Sequence, residues 1–122
     1  MMALETLQEA GRAVLFWLGA LYALWFFYLA VMNLKRAKDA GTLSRLAFAL
    51  GLPFLVCGYV LDLAVNVVVG SVLFVEWPRI DGLTLTARLS RHIGEASWRG
   101  ALARWICGRL LDTFDPSGRH CK

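Results

Sequence analysis

The sequence predicts an all-α membrane protein in which two transmembrane helices form a hairpin, followed by a C-terminal extramembrane region of short amphipathic helices. Of its 122 residues, 58% are hydrophobic and 18% are charged, whereas a soluble domain is usually about half apolar and about a quarter charged. Two long runs that are almost free of charge carry most of this apolar character. The composition excludes a multidomain enzyme, because too little sequence remains outside the runs to build a second core.

The first transmembrane helix is predicted over residues 13–34. A short amphipathic head, residues 1–12, precedes it, with Leu4 and Leu7 set against Glu5 and Glu9. The run contains 22 residues without a charge, and as a helix it would span about 33 Å, which is one membrane crossing. A cleaved signal peptide fits less well, because it needs a positive start and an apolar stretch of only about 7–15 residues.

The second transmembrane helix is predicted over residues 46–75, after a basic loop at residues 35–45. The loop carries four Lys or Arg and one Asp, and it joins two antiparallel helices. The second run contains 30 residues, with Asp62 as its single charged residue and Pro53 in its first half. Two separate crossings would need about 40 residues and a turn, so one tilted helix is the better interpretation.

The tail, residues 76–122, is too polar to span a membrane and too apolar to be disordered. Thr84 or Thr86 is placed to cap a short helix that runs to Ile93, and Ser97 is placed to cap a second helix from Trp98 to about Asp112. The segment Asp115-Pro116-Ser117-Gly118 matches a type I turn, which would reverse the chain.

The second tail helix has an amphipathic pattern with an aromatic and arginine-rich surface. Its predicted interfacial residues are Trp98, Arg99, Leu102, Trp105 and Arg109. Trp and Arg together suit a helix that lies in the lipid headgroup layer. A small helical cap packed on the membrane domain explains the same pattern. Binding to nucleic acid is not predicted, because no recognised nucleic-acid-binding motif accompanies the arginines.

Cys107 and Cys121 are predicted to form a disulfide. The helix from Cys107 to Phe114 rises about 10 Å, and the extended residues after the turn return about 10 Å, which brings the two cysteines level. Such a bond persists only in an oxidising compartment. Zinc binding is the alternative, but no CxxC or HxxxH spacing occurs and adjacent His120 and Cys121 cannot easily reach one ion. We therefore predict no metal site, and Cys57 is left unpaired within the second run.

Small and polar residues form one stripe along the second apolar run and a second stripe along the first. We term these residues the polar seam: Gly58, Asp62, Asn66 and Gly70 on the second helix, with Gly19 and Ala23 facing them from the first. Small residues allow close helix contact in lipid, so the seams would pack against each other or against other copies. In the alternative interpretation Asp62 serves an ion path, a proton step or a charged partner helix, because a carboxylate at the bilayer centre costs at least about 2.5 kcal/mol.

The charge distribution favours a cytoplasmic loop and periplasmic termini. Positively charged loops are retained in the cytoplasm. The opposite side also carries four arginines near the membrane ends, Arg12, Arg79, Arg88 and Arg91. The preference therefore comes from the higher charge density of the loop and from the acidic head. No catalytic motif is present, and we predict neither an enzyme nor a cofactor.

The tail also resembles a known group of proteins. The segments LTARLSRHI, WRGALARWIC and LLDTFDPSGRHC, within residues 85–121, resemble the C-terminal part of small, mostly uncharacterised membrane proteins of tailed bacteriophages and prophages. Thr113 departs from a position where that group usually has Pro. The resemblance covers about a third of the chain and implies a phage-type protein in the bacterial inner membrane, without an assigned activity.

Three functions fit these features. In the first, the protein binds a membrane protein, either a host factor or the entry machinery of a competing phage, and modulates it. In the second it forms pores in the manner of a holin, lined by Asp62 and Asn66. In the third it is an accessory subunit of a membrane assembly, with Asp62 as the specificity contact. The expected partners are the lipid bilayer and a second membrane protein or another copy of the chain.

Overall fold

The protein contains four helices and no β-strand, in a computed structural model that describes all 122 residues. Helix α1 is Met2–Asp39, α2 is Arg45–Phe74, α3 is Leu85–His92 and α4 is Trp98–Ile106. After α4 the chain continues through a π-turn, Cys107–Leu111, and a short 3-10 turn, Asp112–Phe114. The predicted all-α class is confirmed.

Helices α1 and α2 form the predicted hairpin, and both are long and apolar enough to cross a membrane. Helix α1 is longer than the predicted span, because it absorbs the amphipathic head and the first part of the basic loop. Ser44 caps α2 by accepting a hydrogen bond from the Ala47 backbone N–H at 3.1 Å. Near the loop Phe27 and Phe54 stack with 4.1 Å between ring centroids, so the hairpin is packed at this end.

Helix α2 is interrupted near its C-terminal end. A π-turn, Asn66–Gly70, lies within it, and such turns leave the helical hydrogen-bond pattern locally irregular. The helix ends where Val75 adopts a left-handed conformation (φ 48°). The Glu76 N–H then bonds the Ser71 carbonyl at 3.1 Å, as in a Schellman motif.

The tail folds back along the hairpin. At one end the Arg99 guanidinium contacts the last carbonyls of α2. At the other end, near the loop, Lys35 of α1 pairs with Asp115 at 3.2 Å. Between these points the Trp25 indole N–H donates to the Leu110 carbonyl at 3.0 Å. The sequence predicts either a tail in the lipid headgroup layer or a helical cap packed on the hairpin. In the structure, side-chain donors of α1 bond the Leu110 and Leu111 carbonyls at the end of the π-turn.

Local signals in the tail were predicted correctly. Thr84 and Ser97 cap α3 and α4 through bonds of 3.1 and 3.2 Å to backbone N–H groups. Gly118 N–H bonds the Asp115 carbonyl at 2.8 Å, which closes the predicted turn. Gly100 permits the tight connection between α3 and α4, because a Cβ there would lie 2.0 Å from the Glu95 carbonyl oxygen.

The structure joins Cys107 to Cys121, with 6.1 Å between their Cα atoms. Both cysteines lie in the small core of the tail, together with Phe74, Leu89 and Ala103. Cys57 is free, as predicted, and its side chain is exposed on the surface of α2.

Candidate functional site: the polar seam and the adjacent cavity

The tail packs against the polar seam of α2. Arg88 of α3 is completely buried, and its Nε donates to the Asn66 side-chain oxygen at 2.8 Å. The Asn66 amide in turn donates to the Leu83 carbonyl at 2.7 Å. Gly70 provides the space for this contact, since a Cβ there would lie 2.8 Å from the Asn66 oxygen and 3.2 Å from Arg88 Nε.

Two arginines of the tail satisfy carbonyl groups at the C-terminal end of α2. Arg88 Nη1 donates to the carbonyls of Gly70 and Glu76 at 3.2 and 3.0 Å. Arg99 donates to the carbonyls of Phe74 and Val75 at 2.7 and 3.0 Å. The last carbonyls of a helix have no partner within it and carry partial negative charge, so guanidinium groups stabilise them. The predicted interfacial residue Arg99 therefore bonds the chain itself.

Asp62 holds the beginning of α3. Its Oδ1 accepts the backbone N–H of Leu85, the first residue of that helix, at 3.0 Å. A carboxylate at a helix N-terminus is favoured by the unpaired N–H groups and the helix dipole. This contact gives the Asp62 carboxylate a hydrogen-bond partner within the chain.

His92 lies between two carboxylates, a cluster that the sequence did not suggest. Its Nδ1 lies 2.9 Å from Glu95 Oε2, and its Nε2 contacts Glu76 Oε2. Burial alone would raise the pKa of Glu76, but the hydrogen bond with His92 and the charges of His92, Arg91 and Arg88 lower it. The pKa of Glu95 is lowered mainly by its hydrogen bond with His92. The cluster fixes the segment after α2 against α3.

Asp115 organises the C-terminal turn. Its carboxylate accepts hydrogen bonds from Ser117, from Lys35 at 3.2 Å and from His120 Nδ1 at 2.9 Å. Burial would raise the pKa of Asp115, but these bonds hold it far below its usual value. The other ring nitrogen of His120 lies 3.0 Å from the Thr86 hydroxyl, so the turn is bonded to both α1 and α3.

An apolar cavity of about 360 Å³ lies between the hairpin and the tail. Fifteen of its 18 lining residues are hydrophobic, and the polar ones are Asp62, Thr86 and His120. The cavity is partly open. It has the size of a small-molecule site, which typically measures about 300–1,000 Å³.

The predicted small residues on α1 do not face the polar seam. No atom outside the local helix lies within 4 Å of a Cβ placed at Gly19, and Ala23 is only partly buried. The residues that contact the small positions of α2 are bulky: a Cβ at Gly58 would lie 3.2 Å from Phe27, and one at Gly51 3.0 Å from Leu34. Within the chain the two small-residue stripes do not pack against each other, because large side chains of α1 fill the space that glycines of α2 leave. Packing of these stripes against other copies stays a prediction.

The other predicted interfacial residues divide between surface and core. Trp98 and Trp105 are about half exposed, at 52% and 58%, and Arg109 is exposed. Leu102 packs against the tail core. The structure therefore combines features of both interpretations of α4, a packed helical cap with aromatic side chains on its outer surface.

Nowhere in the structure are three His, Cys, Asp or Glu side chains arranged to hold a metal ion. No family model, curated protein or solved structure matches the chain.

Proposed function

We propose that the chain is a non-enzymatic integral protein of the bacterial inner membrane that binds and modulates a membrane-protein partner. Two helices long and apolar enough to cross a membrane support insertion. The C-terminal resemblance to phage and prophage membrane proteins supports the bacterial location and makes a host factor or phage entry machinery the class of partner.

The main support for the proposal is that the N-terminal half of α1 is exposed and contacts little of the rest of the chain. From Met1 to Gly19 every side chain except Trp17 is exposed, although residues 13–19 belong to the first apolar run. Both glycines of this half, Gly11 and Gly19, have open space beside them. Because small residues allow a second helix to approach closely in lipid, this half of α1 offers a contact surface that the chain itself leaves free.

The contacts of the polar seam weigh against the pore and the accessory-subunit alternatives. A pore needs polar side chains that face water. Asp62 instead accepts the Leu85 N–H. The Asn66 side chain is bonded to Leu83 and Arg88. Asp62 also lines the cavity between the hairpin and the tail, so it faces the tail of its own chain rather than a second subunit. We therefore place the partner surface on α1.

We further propose that loop 35–45 is cytoplasmic and that the N-terminus and the end of α2, from which the tail folds back along the hairpin towards Lys35, are periplasmic. Met1 lies at the opposite end of α1 from the loop, and the disulfide requires an oxidising compartment. In this orientation the tail enters beside the hairpin from the periplasmic side. A membrane-impermeant maleimide should label Ala3→Cys in intact spheroplasts and Thr42→Cys only after permeabilisation, both in a Cys57→Ser background; the reverse pattern would refute the orientation.

Affinity purification from native membranes in mild detergent, followed by mass spectrometry, tests the partner proposal. We expect a stoichiometric partner with the native chain, and at least about a tenfold lower yield of it with Gly19→Ile, since the added side chain blocks close approach. Leu18→Ile is the matched control, because Leu18 is 57% exposed on a neighbouring face. A homogeneous homo-oligomer with nothing else bound, or a partner yield unaffected by Gly19→Ile, would contradict the proposal.

A further inference from the structure

The cavity between the hairpin and the tail is bounded by every helix of the fold. Leu24 and Trp25 of α1, Val69 of α2, Leu89 of α3 and Ile106 of α4 are among its walls. Its volume of about 360 Å³ is more than twice that of an apolar cavity of about 150 Å³ that binds benzene in another protein. The space is sufficient for an apolar chain or ring system.

Most polar groups near the cavity are already paired. The Trp25 and Tyr28 donors bond the carbonyls of Leu110 and Leu111. The ring nitrogens of His120 bond Thr86 and Asp115. Asp62 differs, because only its Oδ1 has a hydrogen-bond partner in the chain, the Leu85 N–H. The second carboxylate oxygen of Asp62 is therefore the acceptor that a bound molecule would meet.

We infer that this cavity binds an amphiphile with an apolar chain and a primary ammonium group, with the ammonium at Asp62 and the chain among the apolar walls. A carboxylate in apolar surroundings is stabilised most by an opposite charge that also donates hydrogen bonds. A fatty acid would place a second carboxylate beside Asp62, and the two like charges would repel each other. The charge of the site thus selects an amine over an acid of the same chain length.

Quenching of Trp25 fluorescence by chain-end-brominated dodecylamine and dodecanoate provides the test. The protein is placed in phosphatidylcholine vesicles, whose headgroups offer no N–H donor. The other four tryptophans are replaced by Phe, so that Trp25 reports from the cavity wall. A second protein that retains only Trp17 is the reference, because Trp17 does not line the cavity and reports general partitioning into the bilayer.

We expect the amine to quench Trp25 at least about fivefold more steeply than the acid after normalisation to Trp17. Asp62→Asn should remove this preference, and the Asn oxygen can still accept the Leu85 N–H, so α3 stays in place. Val69→Phe should reduce quenching by both compounds, because it fills the cavity and leaves Asp62 intact. Circular dichroism and the intact disulfide would show that each variant is folded.

Two outcomes would overturn the inference. One is equal normalised quenching by amine and acid that survives Asp62→Asn, which indicates partitioning without a site. The other is quenching of Trp25 no steeper than that of Trp17. Neither outcome depends on whether a protein partner is captured, so this inference and the proposed function fail independently.

Discussion

At the scale of single residues, Arg88 contributes the largest set of long-range hydrogen bonds in the chain. Its guanidinium bonds the Asn66 side chain, the Ser71 hydroxyl and the carbonyls of Gly70 and Glu76. Burial lowers the pKa of Arg88, while the charge of Glu76 opposes that shift. A buried cation of this kind is tolerated because its guanidinium is hydrogen-bonded to several polar groups of the chain.

Replacing Arg88 should therefore destabilise the docked tail. For Arg88→Met we expect a loss of about 3–5 kcal/mol in the free energy of unfolding, because carbonyls and an amide oxygen are left without donors. Unfolding in mixed micelles of a mild detergent and SDS, followed by tryptophan fluorescence, measures it. Arg79→Met is the control, since the Arg79 side chain is 57% exposed; a similar small effect of both changes would show that the Arg88 contacts contribute little.

Asp115 gives the tail a dependence on pH. Its folded-state pKa is depressed by hydrogen bonds, despite burial. A depressed carboxyl pKa stabilises the folded state above the unfolded value of about 3.9, and this contribution is lost as the pH falls towards the folded value. The pKa of Glu76 is also lowered, so Glu76 likewise stabilises the folded state at neutral pH and loses this contribution as the pH falls.

We expect the unfolding free energy to be nearly constant between about pH 7 and about pH 5 and to fall below about pH 4. Asp115→Asn should lower stability at neutral pH by about 1.5–3 kcal/mol, because hydrogen bonds to a charged group are lost, and should flatten the acid decline. Asp81→Asn, at an exposed site, should leave the curve unchanged. An acid decline of equal size in Asp115→Asn would assign the effect to other groups.

At the scale of elements, the sequence predicted what short-range chemistry determines. The caps Thr84 and Ser97 and the turn that begins at Asp115 were read from residues within four positions of each other. The Cys107–Cys121 bond followed from the turn between them. Each depends on local geometry, which one stretch of sequence specifies.

Contacts between distant elements could not be predicted in the same way. The polar seam was identified from its spacing, but nothing in that spacing shows that Arg88, 22 positions after Asn66, is its partner. The sequence alone indicates only that Arg88 is a charge near the membrane end, because the burial of an arginine depends on acceptors that only the folded chain brings together. Lys35 and Asp115, 80 positions apart, illustrate the same limit.

The disulfide makes the turn after α4 part of the tail core. It connects residues 14 positions apart, and a loop of this size is stabilised by about 3 kcal/mol in the chain-entropy model. Replacing both Cys107 and Cys121 by Ser should therefore lower tail stability by about that amount and expose the bonds after Arg109 and Arg119 to limited trypsin digestion. Cys57→Ser is the matched control, because that thiol is free and exposed; an equal digestion rate in both variants would contradict the prediction.

At the scale of the whole molecule, the tail connects the two ends of the hairpin. Arg99 and Arg88 attach it to the C-terminal end of α2, and Asp115 attaches it to Lys35 at the loop end of α1. The hairpin itself is packed mainly near the loop, where Phe27 meets Phe54. The tail therefore closes the space between α1 and α2 farther from the loop, and the cavity is what remains of that space.

This arrangement predicts that the C-terminal turn lies beside α1 in native membranes. Asp115 Oδ1 lies 2.7 Å from Ser117 Oγ and 3.2 Å from Lys35 Nζ. In a Cys57→Ser background, Lys35→Cys and Ser117→Cys should therefore be joined by a short bifunctional maleimide. Asn33→Cys with Ser117→Cys is the control, because Asn33 is exposed and lies about 200° around the helix from Lys35. Efficient joining of Lys35→Cys with Ser117→Cys, but not of the control pair, places the tail along the hairpin. If the Lys35→Cys pair is joined in detergent but neither pair is joined in membranes, the bilayer separates the tail from α1.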